Sequence, residues 1–153
     1  RGLTAARTWR QQGAQHSPAI TASDDRLPGK PHCVRTQYEY LADGKPVLVS
    51  TSWEPYSITS GTLAVLPEGG PYAGMGVVRR MAEIGITVSR ATEQPEPRQA
   101  TAEEASLLGV QKGALVTHIR RTYYSDDGRP VETADIVVPA THCEIVYEIP
   151  INR

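Results

Sequence analysis

The chain has 153 residues, 39% of them hydrophobic and 22% charged, which fits one globular domain and neither a disordered nor a membrane-spanning chain. No stretch approaches the ~18 consecutive apolar residues of a transmembrane helix, and no charged-then-apolar leader marks a signal peptide. A net charge of −1 gives this segment no electrostatic grip on nucleic acid, and two cysteines are too few for a disulfide framework, so a reduced, cytoplasmic protein is expected.

In chain order, residues 3–12 lack Gly and Pro, have Thr4 as an N-cap and stop at Gly13, which predicts a first helix. Residues 17–31 carry turn formers around a short strand at 19–21. Residues 32–41 and 46–53, rich in Val, Thr, Tyr and Trp, predict a hairpin across Asp43-Gly44. A Gly- and Pro-rich loop over 67–71 leads through Gly74 and Gly76 to residues 77–84. Apolar residues at 77, 78, 81 and 84 trace a helical face there, closed by Gly85. A strand at 86–89 and a polar stretch through Pro95 and Pro97 follow. Thr101 and Glu104 then form a capping box that opens a third helix ending near Gly109. Residues 114–124 and 131–138 predict a second hairpin, and 143–151 a last strand. The sum is α+β, an antiparallel sheet with helices packed on one face.

The two hairpins repeat one another. Asp43-Gly44-Lys45-Pro46-Val47 returns as Asp127-Gly128-Arg129-Pro130-Val131, an offset of 84 at which Gly29 matches Gly113, Tyr40 matches Tyr124 and Pro55 matches Pro139. Asp-Gly between strand-like runs is the strongest short-range hairpin signal. Two matched hairpins imply two pseudo-symmetric halves of one sheet, with a place for a pocket between them. The repeat breaks before Gly29, where residues 17–25 show no counterpart of the capped helix.

These residues carry a resemblance. Leu108-Gly109, Gly113, Arg120-Arg121, the second Asp-Gly-Arg-Pro-Val with Glu132, and Tyr147-Glu148-Ile149 are similar to the C-terminal half of a UTRA domain. Residues 42–47 with 50–55 resemble its other half, and helix 77–84 with Gly85 the helix between them. The resemblance implies the chorismate-lyase-like fold, an antiparallel sheet with helices packed around it. It also implies the role of a small-molecule-sensing, dimerising domain in GntR-type transcription regulators of the HutC subfamily. Such domains follow an N-terminal winged helix-turn-helix, and this chain, which starts at Arg1 without Met, is expected to be that single domain, reaching DNA only through the missing part. No cofactor, metal or membrane is implied.

In phosphosugar-sensing members the ligand's anionic groups meet amides at the first helix start, here Thr4, and an R-x-R pair on the first hairpin arm. The resemblance puts Tyr38 and Tyr40 at those arginine positions, and Ser50 where an acidic residue is expected. The Ser/Tyr loop before the middle helix is here Gly74-Met75-Gly76-Val77, so Gly76 keeps a free amide without those side chains. The phosphate clamp is therefore not carried over. A pocket of Tyr38, Tyr40, Ser52 and Trp53 favours an aromatic, uncharged or weakly acidic effector and not a phosphosugar. Arg120 from the second half, Glu132 and Tyr147 complete the candidate set, with no catalytic residue in it.

Each residue also has a plain reading. The Asp-Gly pairs serve as turns whatever the domain does. Tyr38 and Tyr40 share a strand face that is either pocket or sheet packing. Arg120-Arg121 suits a surface or dimer interface as well as a ligand, and Glu132 suits a pair with Arg129 as well as a ligand hydroxyl. His32-Cys33 and His142-Cys143 point to opposite strand faces and cannot chelate one ion as pairs. Two other functions stay open: a chorismate-lyase-like enzyme, which needs converging Arg and Glu in the cavity, and a ligand-free dimerisation module with a solidly filled sheet face.

Overall fold

A computed structural model describes the backbone of residues 5–14 and the whole of residues 33–141 and 143–151. Among the described residues, six antiparallel strands form one sheet in the order β1-β2-β3-β6-β5-β4: β1 (Ala5–Ala14), β2 (Cys33–Ala42), β3 (Lys45–Pro55), β4 (Val88–Gln99), β5 (Leu115–Ser125) and β6 (Pro130–Pro139). Three helices among the described residues accompany it: α1 (Tyr56–Thr59), α2 (Val77–Glu83) and α3 (Ala102–Leu108). The order is palindromic under exchange of β1 with β4, β2 with β5 and β3 with β6, so the repeat is a pseudo-twofold of the entire sheet.

Both hairpins form at the Asp-Gly pairs. Asp43 and Gly44 have φ of 49° and 76°, the left-handed pair of a two-residue turn whose twist matches its strands. The second turn is one residue longer, since the equivalent pairs Leu41–Pro46 and Tyr124–Pro130 enclose four and five residues. The offset of 84 therefore holds along β6 but drops by one along β5. The structural counterpart of Tyr38 is Arg121 and that of Tyr40 is Tyr123, not Tyr124.

Three expected elements differ. The segment expected as a first helix is strand β1, paired residue for residue with β2 from Ala5–Ala42 to Ala14–Cys33. The absence of Gly and Pro permits a helix, but ten cross-strand pairs outweigh a weak propensity. The polar stretch with Pro95 and Pro97 belongs to β4, an edge strand bonded only to β5. The prolines are two apart, so both nitrogens face the open edge, where no donor is needed. Residues 143–151 form no strand. Interior strands are already paired on both sides, and the prolines blunt the outer edge of β4. Thr4, the expected strand at 19–21, His32 and His142 lie outside the described residues.

The helices flank the sheet on both faces, not one. On one face α3 packs Ala105 and Leu108 onto Val49, Val116 and Val137. Its capping box is present, with Glu104 N donating to Thr101 Oγ1 at 3.2 Å and Thr101 N to Glu104 Oε2 at 2.9 Å. On the other face α2 buries Met81 and Arg80. Arg80 donates to Ala64 O at 2.8 Å and pairs with Glu54 of β3.

Candidate functional site

Strand alternation decides which side chains meet. On the α2 face, β2 presents Tyr38 and Tyr40, β3 Ser50 and Ser52, β6 Glu132 and Ala134, and β5 Arg121 and Tyr123. With Pro67, Glu68, Met75, Gly76 and residues 77–80 they line a cavity of about 320 Å³. It straddles the pseudo-twofold: Tyr38 and Tyr40 approach from one half, their counterparts Arg121 and Tyr123 from the other.

The cavity is polar and internally matched. Tyr38 donates to Glu68 Oε1 at 3.1 Å, and Gly74 N donates to Glu68 Oε2 at 3.2 Å, so one carboxylate ties the loop before α2 to the sheet. Burial, and next the Glu68 charge, push the Tyr38 hydroxyl far above its usual range. Tyr38 and Tyr40 lie with ring centroids 6.3 Å apart, tilted by 39°. Arg121 sits over the Tyr123 ring at 4.7 Å and 3.8 Å from Glu132. Its Nε is buried without a hydrogen-bond partner among the described residues. Burial raises the Glu132 carboxyl, against the pull of Arg121 and Arg80. Burial also pushes Glu54 up to about 7, although Arg80 beside it acts the other way. Gly76, at φ 79°, opens α2 on the cavity wall, a conformation side chains disfavour.

Among the expected site residues, Tyr38, Tyr40, Ser50, Ser52, Gly76 and Glu132 come together here. Three others do not. Trp53 follows Ser52 and so faces the other side, where it lines a separate cavity of about 250 Å³ beside α3. Arg120 likewise points away from the tyrosines and holds Asp135 at 2.9 Å, sharing that carboxylate with His118. Tyr147 is 51% exposed in the C-terminal segment, where a hydrogen bond to Glu93 raises its hydroxyl. Glu132 neighbours Arg121, not Arg129.

The cavity also gathers residues outside that candidate set. Arg121 was legible by alternation, being two residues from Tyr123. Arg80 falls beside the apolar stripe of α2, but its buried partner Glu54 lies 26 residues away and leaves no local signal. Burial raises the Cys33 thiol to about 11, while Cys143 is exposed. Among the described residues no three His, Cys, Asp or Glu cluster as a metal site, and no helix is long and apolar enough to cross a membrane.

An antiparallel α+β sheet of two pseudo-symmetric halves with helices against it is the chorismate-lyase-like fold. The family model of the UTRA domain matches residues 3–144, and the chain belongs to that family, the ligand-sensing domains of GntR-type transcription regulators. The crystal structure of a GntR-family transcriptional regulator is 40% identical with a TM-score of 0.86, covering 98% of this chain and 63% of that one. The effector domain of PhnF from Mycobacterium smegmatis, 17% identical with a TM-score of 0.72, shares the fold over 97% of this chain and 89% of its own. The HTH-type transcriptional repressor NagR of Bacillus subtilis is 50% identical over 52 residues, 34% of this chain and 21% of that protein. The HTH-type transcriptional regulator SCO4628 of Streptomyces coelicolor is 31% identical over 107 residues, 70% of this chain and 40% of its own. The matched segments thus cover well under two thirds of the length of these two curated relatives.

Proposed function

We propose that the cavity between Tyr38, Tyr40, Arg121 and Tyr123 binds a small effector, and that binding changes how a longer, homodimeric regulator holds its operator. The observation that carries this reading is the convergence of tyrosine, serine, arginine and glutamate side chains on one space of about 320 Å³. That volume is at the lower end for small-molecule sites. The effector is aromatic or otherwise ring-shaped and uncharged or weakly acidic, not a phosphosugar. Of the three arginines in the lining, Arg80 is occupied by Glu54 and Ala64 and Arg121 stands beside Glu132, so apart from Arg79 the cavity's cations already face carboxylates or a carbonyl. The mechanism is a population shift, requiring different effector affinity in the two arrangements of the dimer. Residues 1–153 act as one domain, DNA contact comes from a winged helix-turn-helix outside them, and the protein works in the cytoplasm.

A lyase reading draws on the presence of Arg80, Arg121 and Glu132 in one cavity. The pairing of both arginines with carboxylates argues against it. Incubation with chorismate that released 4-hydroxybenzoate and pyruvate would decide for the enzyme. The effector reading is tested by Tyr40→Ala in the full-length regulator: the change in operator affinity on adding cell extract disappears while the dimer persists. An undiminished response places the effector elsewhere.

A further inference from the structure

The three arginines that line the cavity differ in what they face. Arg80, 2% exposed, is held by Glu54 and by Ala64 O at 2.8 Å. Arg121 lies over the Tyr123 ring and 3.8 Å from Glu132. Arg79 is exposed, and no hydrogen bond or ion pair joins it to another described residue. An exposed arginine on a helix is ordinarily a solvated group that contributes little. This one shares the cavity wall, next to Val78, which is 43% exposed and lines the cavity too, so the opening has an apolar edge beside a cation. The Arg80–Glu54 pair holds the next residue of α2 to the sheet and so fixes where Arg79 leaves the helix. Further in, the lining turns acidic, with Glu68 and with Glu132 at 7% exposure.

We propose that Arg79 receives the single carboxylate of a ring compound whose ring lies among Tyr38, Tyr40 and Tyr123. The proposal rests on the reading of the cavity as the effector site and names the charge and orientation of what enters it. At the opening a carboxylate meets a guanidinium whose planar fork can take both its oxygens. Carried deeper, it would meet the acidic groups of Glu68 and Glu132, where like charge is unfavourable. The neutral ring therefore goes in first, past Val78, onto the tyrosine faces. A cationic group at the opening would be repelled by Arg79. A phosphate monoester brings a second negative charge, and the other two arginines of the lining already stand beside carboxylates. One uncompensated cation matches a monoanion.

The test is calorimetric titration of the chain with two acid–amide pairs, benzoate with benzamide and cyclohexanecarboxylate with its amide, and with phenyl phosphate. It is repeated on Arg79→Gln, Arg79→Lys and Tyr40→Ala; residue 79 is exposed, so its substitution leaves the fold intact. In at least one pair the acid binds roughly fivefold more tightly than its amide, the upper range for an exposed ion pair. That preference disappears in Arg79→Gln, persists in part in Arg79→Lys and shrinks as salt is raised, while amide binding ignores all three changes. Phenyl phosphate binds no better than benzoate. Amides that bind as well as their acids, an acid preference that survives Arg79→Gln, tighter binding of phenyl phosphate, or no binding by any probe overturns the proposal. If Tyr40→Ala removes binding of acid and amide alike while Arg79→Gln changes neither, the role of Arg79 falls and the cavity reading stands. If the probes bind and Tyr40→Ala leaves them unaffected, both fall.

Discussion

Arg80 of α2 and Glu54 of β3 form an ion pair with side chains 3% and 0% exposed, joining the helix that walls the cavity to the sheet that floors it. Removing one partner leaves the other charge buried and uncompensated, which costs about 3–5 kcal/mol. Arg80→Met should lower unfolding free energy by about that amount in urea titration. The double variant Arg80→Met with Glu54→Met should recover most of it, since an apolar pair of similar volume needs no desolvation. A single-variant loss below about 1 kcal/mol would mean the pair is solvated and does not fix α2.

The pH dependence follows from the raised carboxyls. Glu54, lifted by burial to about 7, and Glu132, lifted the same way, bind protons in the folded state at pH values where the unfolded chain has released them. Folded protein then holds more protons than unfolded, so stability is greatest below the ordinary carboxylate range. It falls as pH rises from there towards 7. Chemical denaturation between pH 4.5 and 7.5 should show this decline, and Glu54→Gln should flatten it. A rise in stability over the same range would mean that Arg80 outweighs burial.

The C-terminal segment bears on assembly. Val146, Ile149 and Ile151 are 77%, 75% and 83% exposed. We predict that the partner covers them in the proposed homodimer. Val146→Glu with Ile149→Glu should convert the dimer to monomer in light scattering without changing the melting of the sheet. An unchanged dimer places the interface elsewhere.

Much of the fold was legible locally. The Asp-Gly turns, the capping box at Thr101 and the stop at Gly85 and Gly109 are short-range signals, and the corresponding elements form where the residues place them. What failed depends on partners distant in sequence. β1 has no strand pattern strong enough to announce it and exists because β2 pairs with it. β4 tolerates two prolines only because it ends the sheet.

The site was legible by half. The aromatic face of β2 and the serines of β3 follow from period-two alternation, and the same rule, applied to residue 53, separates Trp53 from Ser52. The longer second turn could not be seen in the repeat itself, where the Asp-Gly-x-Pro-Val motifs match perfectly. It moves the second half's contribution from Arg120 to Arg121 and pairs Tyr40 with Tyr123. The asymmetry between Tyr38 and Arg121 across the pseudo-twofold is what gives the cavity its aromatic and its charged walls.

The most direct measurement of the central claim is a thermal-shift comparison of neutral aromatic and hydroxyl-bearing ring compounds against sugar phosphates, on the chain and on Tyr40→Ala. The account predicts that at least one uncharged ring compound raises the melting temperature of the parent and not of the variant, while sugar phosphates leave both unmoved. Stabilisation by sugar phosphates with no response to the neutral compounds would contradict it.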